Sequence, residues 1–183
     1  MYRTLAWHCL HLGVEVSDGR AVGGVCRKWK TRLHVVDGDP AEVWLLVEGY
    51  APRGEIRGAE VSRAASDVAV MPAVRRWMKE QQRSCLQFGD LVMEGRDIAT
   101  HVFPHTEFKF WLDASPDERV RRRKAQGVTD VLSYRDRQDS QRSTAPLMQG
   151  LGAVRLDTTS MPAEEVVQAI CGLVRQGREG RAA

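Results

Sequence analysis

The sequence predicts an α/β fold built on a mostly parallel sheet, and three observations lead there. Short apolar runs, Leu91-Val92-Met93, Phe108-Lys109-Phe110-Trp111-Leu112 and Ala153-Val154-Arg155-Leu156, read as strands that end in polar turns. Segments of helical periodicity lie between and around them. Alternation of this kind buries a parallel sheet beneath helices on both faces, with ligands gathered at the carboxyl ends of the strands.

In chain order, Tyr2, Leu5, Ala6, Leu10 and Leu12 recur at roughly helical spacing, so the chain opens inside a helix with nothing before Met1 to cap it. Val14 to Trp29 reads as helical. Leu33 to Asp37 and Val43 to Glu48 read as strands joined by a Gly38-Asp39-Pro40 turn, which makes a small antiparallel flap. Glu60 to Val70 and Pro72 to Leu86 form two helices, the second started by Pro72, closed near Gly89 and buried through Val74, Trp77 and Met78. Ser115-Pro116-Asp117-Glu118 starts a further helix: Ser115 can cap it, Pro116 suits the first helical position, and Glu118 stands where a capping box needs it. That helix is expected to end near Gly127. The last helix, Glu164 to Val174, is apolar at Val166, Val167, Ile170, Leu173 and Val174 and is expected to dissolve into a Gly/Arg tail at Gly177. Three core strands make a thin sheet for this length, so a leading strand and helix are expected to be missing.

Composition bounds the function. The chain has 183 residues, 43% of them hydrophobic, and a mean hydropathy of -0.38, as a soluble globular protein has. No apolar run reaches the roughly 18 residues that span a bilayer, and Val43 to Val47 stops at Glu48. Met1 to Val16 is interrupted by His8, His11 and Gly13 and does not read as a signal peptide, so a cytoplasmic protein is expected. Cys9, Cys26, Cys85 and Cys171 are scattered without a C-x-x-C pair and are expected to be reduced packing residues. The net charge of +3 is local: from Pro116 to Arg142, eight basic residues face five acidic ones. A concentrated arginine segment suits an anionic ligand met at one place better than a broad nucleic-acid face.

Chemistry is expected where arginines and carboxylates stand at strand ends. Glu94-Gly95-Arg96-Asp97 follows the first strand run, a place where phosphates bind. Arg135-Asp136-Arg137-Gln138-Asp139-Ser140-Gln141-Arg142 sets Arg135, Asp139 and Arg142 on one helix face, where solvated ion pairing is the alternative. Together with Gly54-Glu55-Ile56-Arg57, Ser66, Val74-Arg75, Phe108 to Ser115 and Ala145-Pro146-Leu147, these segments occur in the order and nearly the spacing found in bacterial cytidylate kinases. The chain resembles that family from Tyr2 to Val174, and Met1-Tyr2-Arg3 is similar to the end of its Gly-Ala-Met-Tyr-Arg segment.

The resemblance implies a nucleoside-monophosphate-kinase-like fold: residues 1–90 as a monophosphate-binding region with a flap at about 33–57, residues 91–115 and 144–176 as core, 116–143 as an arginine-rich lid and 177–183 as a tail. It implies phosphoryl transfer from ATP, with Mg2+, to CMP or dCMP in pyrimidine nucleotide metabolism, by a monomer whose partners are these small molecules rather than nucleic acid or a membrane. Arg3, Arg96 and Arg142 would hold the CMP phosphate; Ser66, Arg75 and Asp97 would read the cytosine; Arg135 and Asp139 would hold the sugar. Arg119, Arg122 and Arg123 would meet the ATP phosphates, and Arg96, Arg122, Arg123 and Arg142 would bear on the transferring group. Guanidinium forks suit phosphate oxygens, and a hydroxyl, a carboxylate and an arginine match cytosine's acceptors and its amino donor.

The resemblance has two gaps. Glu94 stands where the family usually has Asp, and the sequence holds no G-x-x-x-x-G-K-[ST] loop of the kind that cradles ATP phosphates. Two expectations follow: either Met1 is an internal methionine of a longer active kinase, or the chain is a short homologue that at most binds CMP. Outside the family, Arg119 to Lys124 and five tryptophans raise an RNA-binding reading, but Trp7, Trp44, Trp77 and Trp111 fall at core-periodic positions. His8 with His11, or His101 with His105, lacks a completing ligand set for a metal, and no Ser or Cys sits in a nucleophile elbow.

Overall fold

The computed structural model describes residues 1–30, 32–125 and 148–182. These fall into two compact units, residues 1–95 and residues 96–125 with 148–182.

The first unit is mainly helical. Helix α1 (Tyr2–His11) places Leu5, Ala6 and Cys9 on one stripe and buries all three completely. Helix α2 (Gly19–Lys28) starts later than its apolar residues suggest. Asp18 caps it, accepting from the amides of Arg20 and Ala21 at 2.8 and 3.1 Å, and Ser17 turns back onto the Glu15 carboxylate at 3.0 Å. Those local bonds compete with helix over residues 14–18. Strands β1 (Arg32–Val36) and β2 (Glu42–Leu46) pair antiparallel, Arg32 opposite Leu46 and Val36 opposite Glu42, as the expected flap. The Trp29 indole N–H donates to the Leu46 carbonyl at 3.2 Å and pins the end of α2 to the hairpin.

A single 3-10 turn (Glu55–Arg57) leads into α3 (Ala59–Ala69) and α4 (Pro72–Ser84). Val61, Ala64, Ala65 and Val68 recur at helical spacing on α3, and their small side chains let α3 lie close against α1. Val74 and Met78 of α4 complete the same cluster with Val22 and Cys26 of α2, while the Trp77 ring stacks on Trp29 at 5.4 Å. Pro72 sits in the first turn of α4, and Gly89 ends the segment at a φ of 100°, which only glycine takes readily. Cys9, Cys26 and Cys85 are buried free thiols, the first two pushed up to about 11 by burial. Cys171, by contrast, is exposed and does not pack.

The second unit carries the parallel pairing. Strands β3 (Phe110–Asp113) and β4 (Val154–Asp157) lie side by side, Phe110 opposite Val154 and Asp113 opposite Asp157. Helix α5 (Pro116–Ala125) follows β3, and α6 (Ala163–Ala182) follows β4, so the chain is α/β with a parallel sheet. Two expectations need correction. Leu91-Val92-Met93 is not a strand; among the described residues β3 and β4 pair only with each other, and Val92 is fully exposed, so its backbone has no ladder to join. The last helix does not stop at Gly177 but runs to Ala182. A Cβ at Gly177 would come within 2.8 Å of the Phe108 ring, so this glycine serves close packing inside the helix rather than its end.

Candidate active site

In the first unit the sequence-assigned residues sit on three packed helices. Arg3 lies on α1 and donates through Nη1 to the Ile56 carbonyl at 3.3 Å, linking α1 to the 3-10 turn. Ser66 lies on α3, 6% exposed, with its hydroxyl on the Ser62 carbonyl at 3.3 Å. Arg75 lies on α4, 8% exposed, with Nη1 on the Ala69 carbonyl at 3.2 Å. Helix α3 packs against both α1 and α4, so one helical layer positions all three. A guanidinium this deep is costly unless hydrogen bonds satisfy it, and the carbonyl at the end of α3 meets part of that need.

Arg96 and Asp97 open the second unit. Asp97 is 9% exposed, and its carbonyl accepts the His101 amide at 2.8 Å and the Thr100 and Val102 amides at 3.3 Å, starting a single π-helical turn at Ile98–Val102. Nothing in the residue pattern predicts this turn. Its backbone bonds hold Asp97 in place, and the carboxylate does not cap the turn. Turns of this kind are rare and concentrate at functional sites.

The start of α5 follows its sequence signals in part. Ser115 accepts the Glu118 amide at 3.3 Å, as a capping box requires. The Glu118 carboxylate, however, takes two bonds from Arg121 at 2.6 and 2.7 Å and one from Arg122 at 2.7 Å. These arginines hold its carboxyl down at about 2. Arg122 also donates through Nη1 to the Thr158 hydroxyl at 3.0 Å and through Nη2 to the Thr158 and Met161 carbonyls. The Thr158 hydroxyl in turn donates to the Asp113 carbonyl at 2.9 Å, so Arg122 ties α5 to the ends of both strands. Sequence reasoning missed this clamp. The Asp157-Thr158-Thr159 triplet at the end of β4 is the signal that could have found it, since hydroxyls there also reach Ser115, whose amide binds Thr159 at 2.9 Å. Arg119 is exposed on α5. The Arg123 side chain, Arg135, Asp139 and Arg142 lie outside the described residues, as does the expected helix end near Gly127.

Among the described residues no three His, Cys, Asp or Glu side chains gather as a metal site, and no helix is long and apolar enough to cross a membrane. Comparison with known proteins supplies the family. The family model described as cytidylate kinase matches residues 1–176. The cytidylate kinase of Geobacillus kaustophilus is 38% identical over 96% of this chain and 82% of its own length. That of Limosilactobacillus reuteri is 34% identical over 98% of this chain and 82% of its own. The bifunctional pantoate ligase/cytidylate kinase of a Synechococcus species is 36% identical over 96% of this chain, in 38% of its own length. With a match that runs from the first residue through most of α6, this chain belongs to the cytidylate kinase family.

Proposed function

We propose that this chain transfers the γ-phosphoryl group of ATP to CMP or dCMP, giving ADP and CDP or dCDP. One observation carries the reading most directly: Ser66, Arg75 and Asp97, the three residues assigned to cytosine, are all polar and all at least nine-tenths buried. Polar groups held this deep are oriented by the hydrogen bonds around them, and a nucleobase edge matches their donor and acceptor types. Asp97 is suited to accept from the exocyclic amine, while Arg75 and the Ser66 hydroxyl donate to the carbonyl and ring nitrogen. Uracil would set a carbonyl where the carboxylate needs a donor and would be rejected.

Arg3, Arg96 and Arg142 hold the monophosphate in this reading, and Arg135 with Asp139 holds the sugar. Arg119, Arg122 and Arg123 face ATP, Arg122 doing so by exchanging its bonds to Thr158 and Met161 for phosphate oxygens. Arg96, Arg122, Arg123 and Arg142 then offset the charge that develops during transfer. Mg2+, bound to the ATP phosphates, supplies further neutralisation of that charge. Closure of the α5 region would exclude water and limit ATP hydrolysis. The protein works as a cytoplasmic monomer on small-molecule substrates.

The test is a coupled ADP-release assay with ATP and Mg2+. CMP and dCMP should exceed UMP in kcat/KM by roughly a hundredfold or more. Asp97→Asn keeps the shape but changes an acceptor into a mixed donor and acceptor, so it should collapse the CMP-to-UMP ratio by tenfold or more. Equal use of CMP and UMP by the parent would overturn the base assignment. Saturable CMP binding without ADP release would instead identify a homologue that binds CMP but does not transfer phosphate.

A further inference from the structure

A cleft of about 900 Å³ opens within the first unit, between α1, the end of α2 and the β1–β2 hairpin. Among the described residues, its walls include none of those assigned to CMP or ATP. The apolar part includes Val14, Val25, Leu46 and the Trp29 indole. Trp29 is fixed in orientation by its bond to the Leu46 carbonyl and its stack on Trp77, so it offers a rigid aromatic surface. The charged part is strongly one-sided: among the described residues, Lys28, Lys30 and Arg32 line it against the single carboxylate of Glu48. Three cations facing one anion leave two positive charges beside an apolar wall.

His8 supplies the independent observation. Its ring forms part of the cleft wall, is 7% exposed, and lies 4.8 Å from the Trp29 ring. The Nδ1 atom is buried without a hydrogen-bond partner among the described residues. Burial also lowers the imidazole's pKa below its ordinary value, which keeps the ring neutral near pH 7. A neutral buried imidazole with an unused nitrogen is unfavourable in a folded protein unless something else meets it. An apolar concavity with a few convergent polar groups is the usual form of a small-molecule site.

We propose that this cleft binds a small aromatic phosphate monoester, as a ligand site separate from the kinase substrates. The ring lies against Trp29, Val25 and Leu46. The phosphate, close to doubly charged at neutral pH, meets Lys28, Lys30 and Arg32, and an ester or phosphate oxygen reaches His8. Because the cleft joins the flap hairpin to α1 and α2, the ligand would fasten the hairpin to the helical layer.

The probe is 1-naphthyl phosphate, titrated into the full chain while the Trp29 indole N–H is followed by NMR. The expected result is a saturable shift, with affinity at least tenfold above that of inorganic phosphate and of 1-naphthol, each of which carries half of the required chemistry. The charge-reversed variant Lys28→Glu/Lys30→Glu changes exposed side chains only and should weaken binding by tenfold or more. Lys30→Ala, a milder change, should weaken it by threefold or more. CMP should leave the bound probe in place. No saturable shift, affinity unchanged in both variants, or displacement of the probe by CMP would each overturn the proposal. Kinase activity need not be present for any of these readouts, so failure here is distinct from failure of the phosphoryl-transfer reading.

Discussion

The helical unit and the strand-bearing unit solve the same problem to different degrees. In the first, Leu5, Cys9, Val22, Val68, Val74 and Met78 are sealed from water by four helices that share one cluster. In the second, Val102 is the one fully buried large apolar side chain among the described residues, while Leu112, Val120, Val154 and Val167 stay exposed. Helices can close a core pairwise, because each needs only one apolar stripe covered. A parallel sheet needs neighbours along its edges and layers on both faces, and two strands of four residues offer little of either. Cohesion in the second unit therefore rests more on polar ties, such as Arg122 to Thr158 and Arg155 to Asp113 at 2.6 Å.

Truncating side chains in each unit tests that contrast with the largest expected effect. Met78→Ala should cost about 2–5 kcal/mol, because it empties a fully buried site. Val154→Ala, at a position 43% exposed, should cost less than about 1 kcal/mol. Urea denaturation monitored by circular dichroism gives both values, and similar costs would erase the difference between the units.

Glycine substitutions in α6 sharpen the picture at intermediate size. Gly172 has open space where an added methyl group would stand, so Gly172→Ala should stabilise by roughly 0.5–1 kcal/mol through helix propensity. Gly177→Ala would press on the Phe108 ring and should instead lower stability by about 1 kcal/mol. Thermal melts that shift in the same direction for both would mean that α6 does not depend on close approach at Phe108.

The smallest expected effect is a pH response at the start of α5. Glu118 is held at about 2 by Arg121 first and Arg122 second, well below its ordinary value of 4.5. A depressed carboxyl contributes stability above its ordinary pKa and loses it as pH falls through the folded value. The tie should thus be complete above about pH 5 and weaken between about pH 4.5 and 2. A carbon-detected NMR titration of the Glu118 carboxyl would show the midpoint, and a midpoint near 4.5 would mean that the arginine contacts are not held in solution. Arg121 is largely exposed, so solvent screening keeps the effect on global stability small.

The starts of α4 and α5, the flap hairpin and the parallel pairing of the last two strands were legible in the residues themselves. Pro72, Gly89, Ser115 and the alternation from Phe108 to Leu112 carry their meaning locally, through backbone geometry and side-chain period. The family was legible for a related reason, since the order of its polar segments survives in one dimension. Other features depended on what lies across space. Leu91 to Met93 has strand composition but no ladder among the described residues, Gly177 reads as a helix end but serves a contact with Phe108, and Arg122, one of a run of basic residues along the chain, clamps Thr158. The cleft at His8 belongs with them, because its residues come from α1, α2, β1 and β2, whose spacing along the chain gives no sign of their meeting. Local propensity and period are written residue by residue, whereas ladders, close approaches and cavities exist only between segments that the chain has folded together.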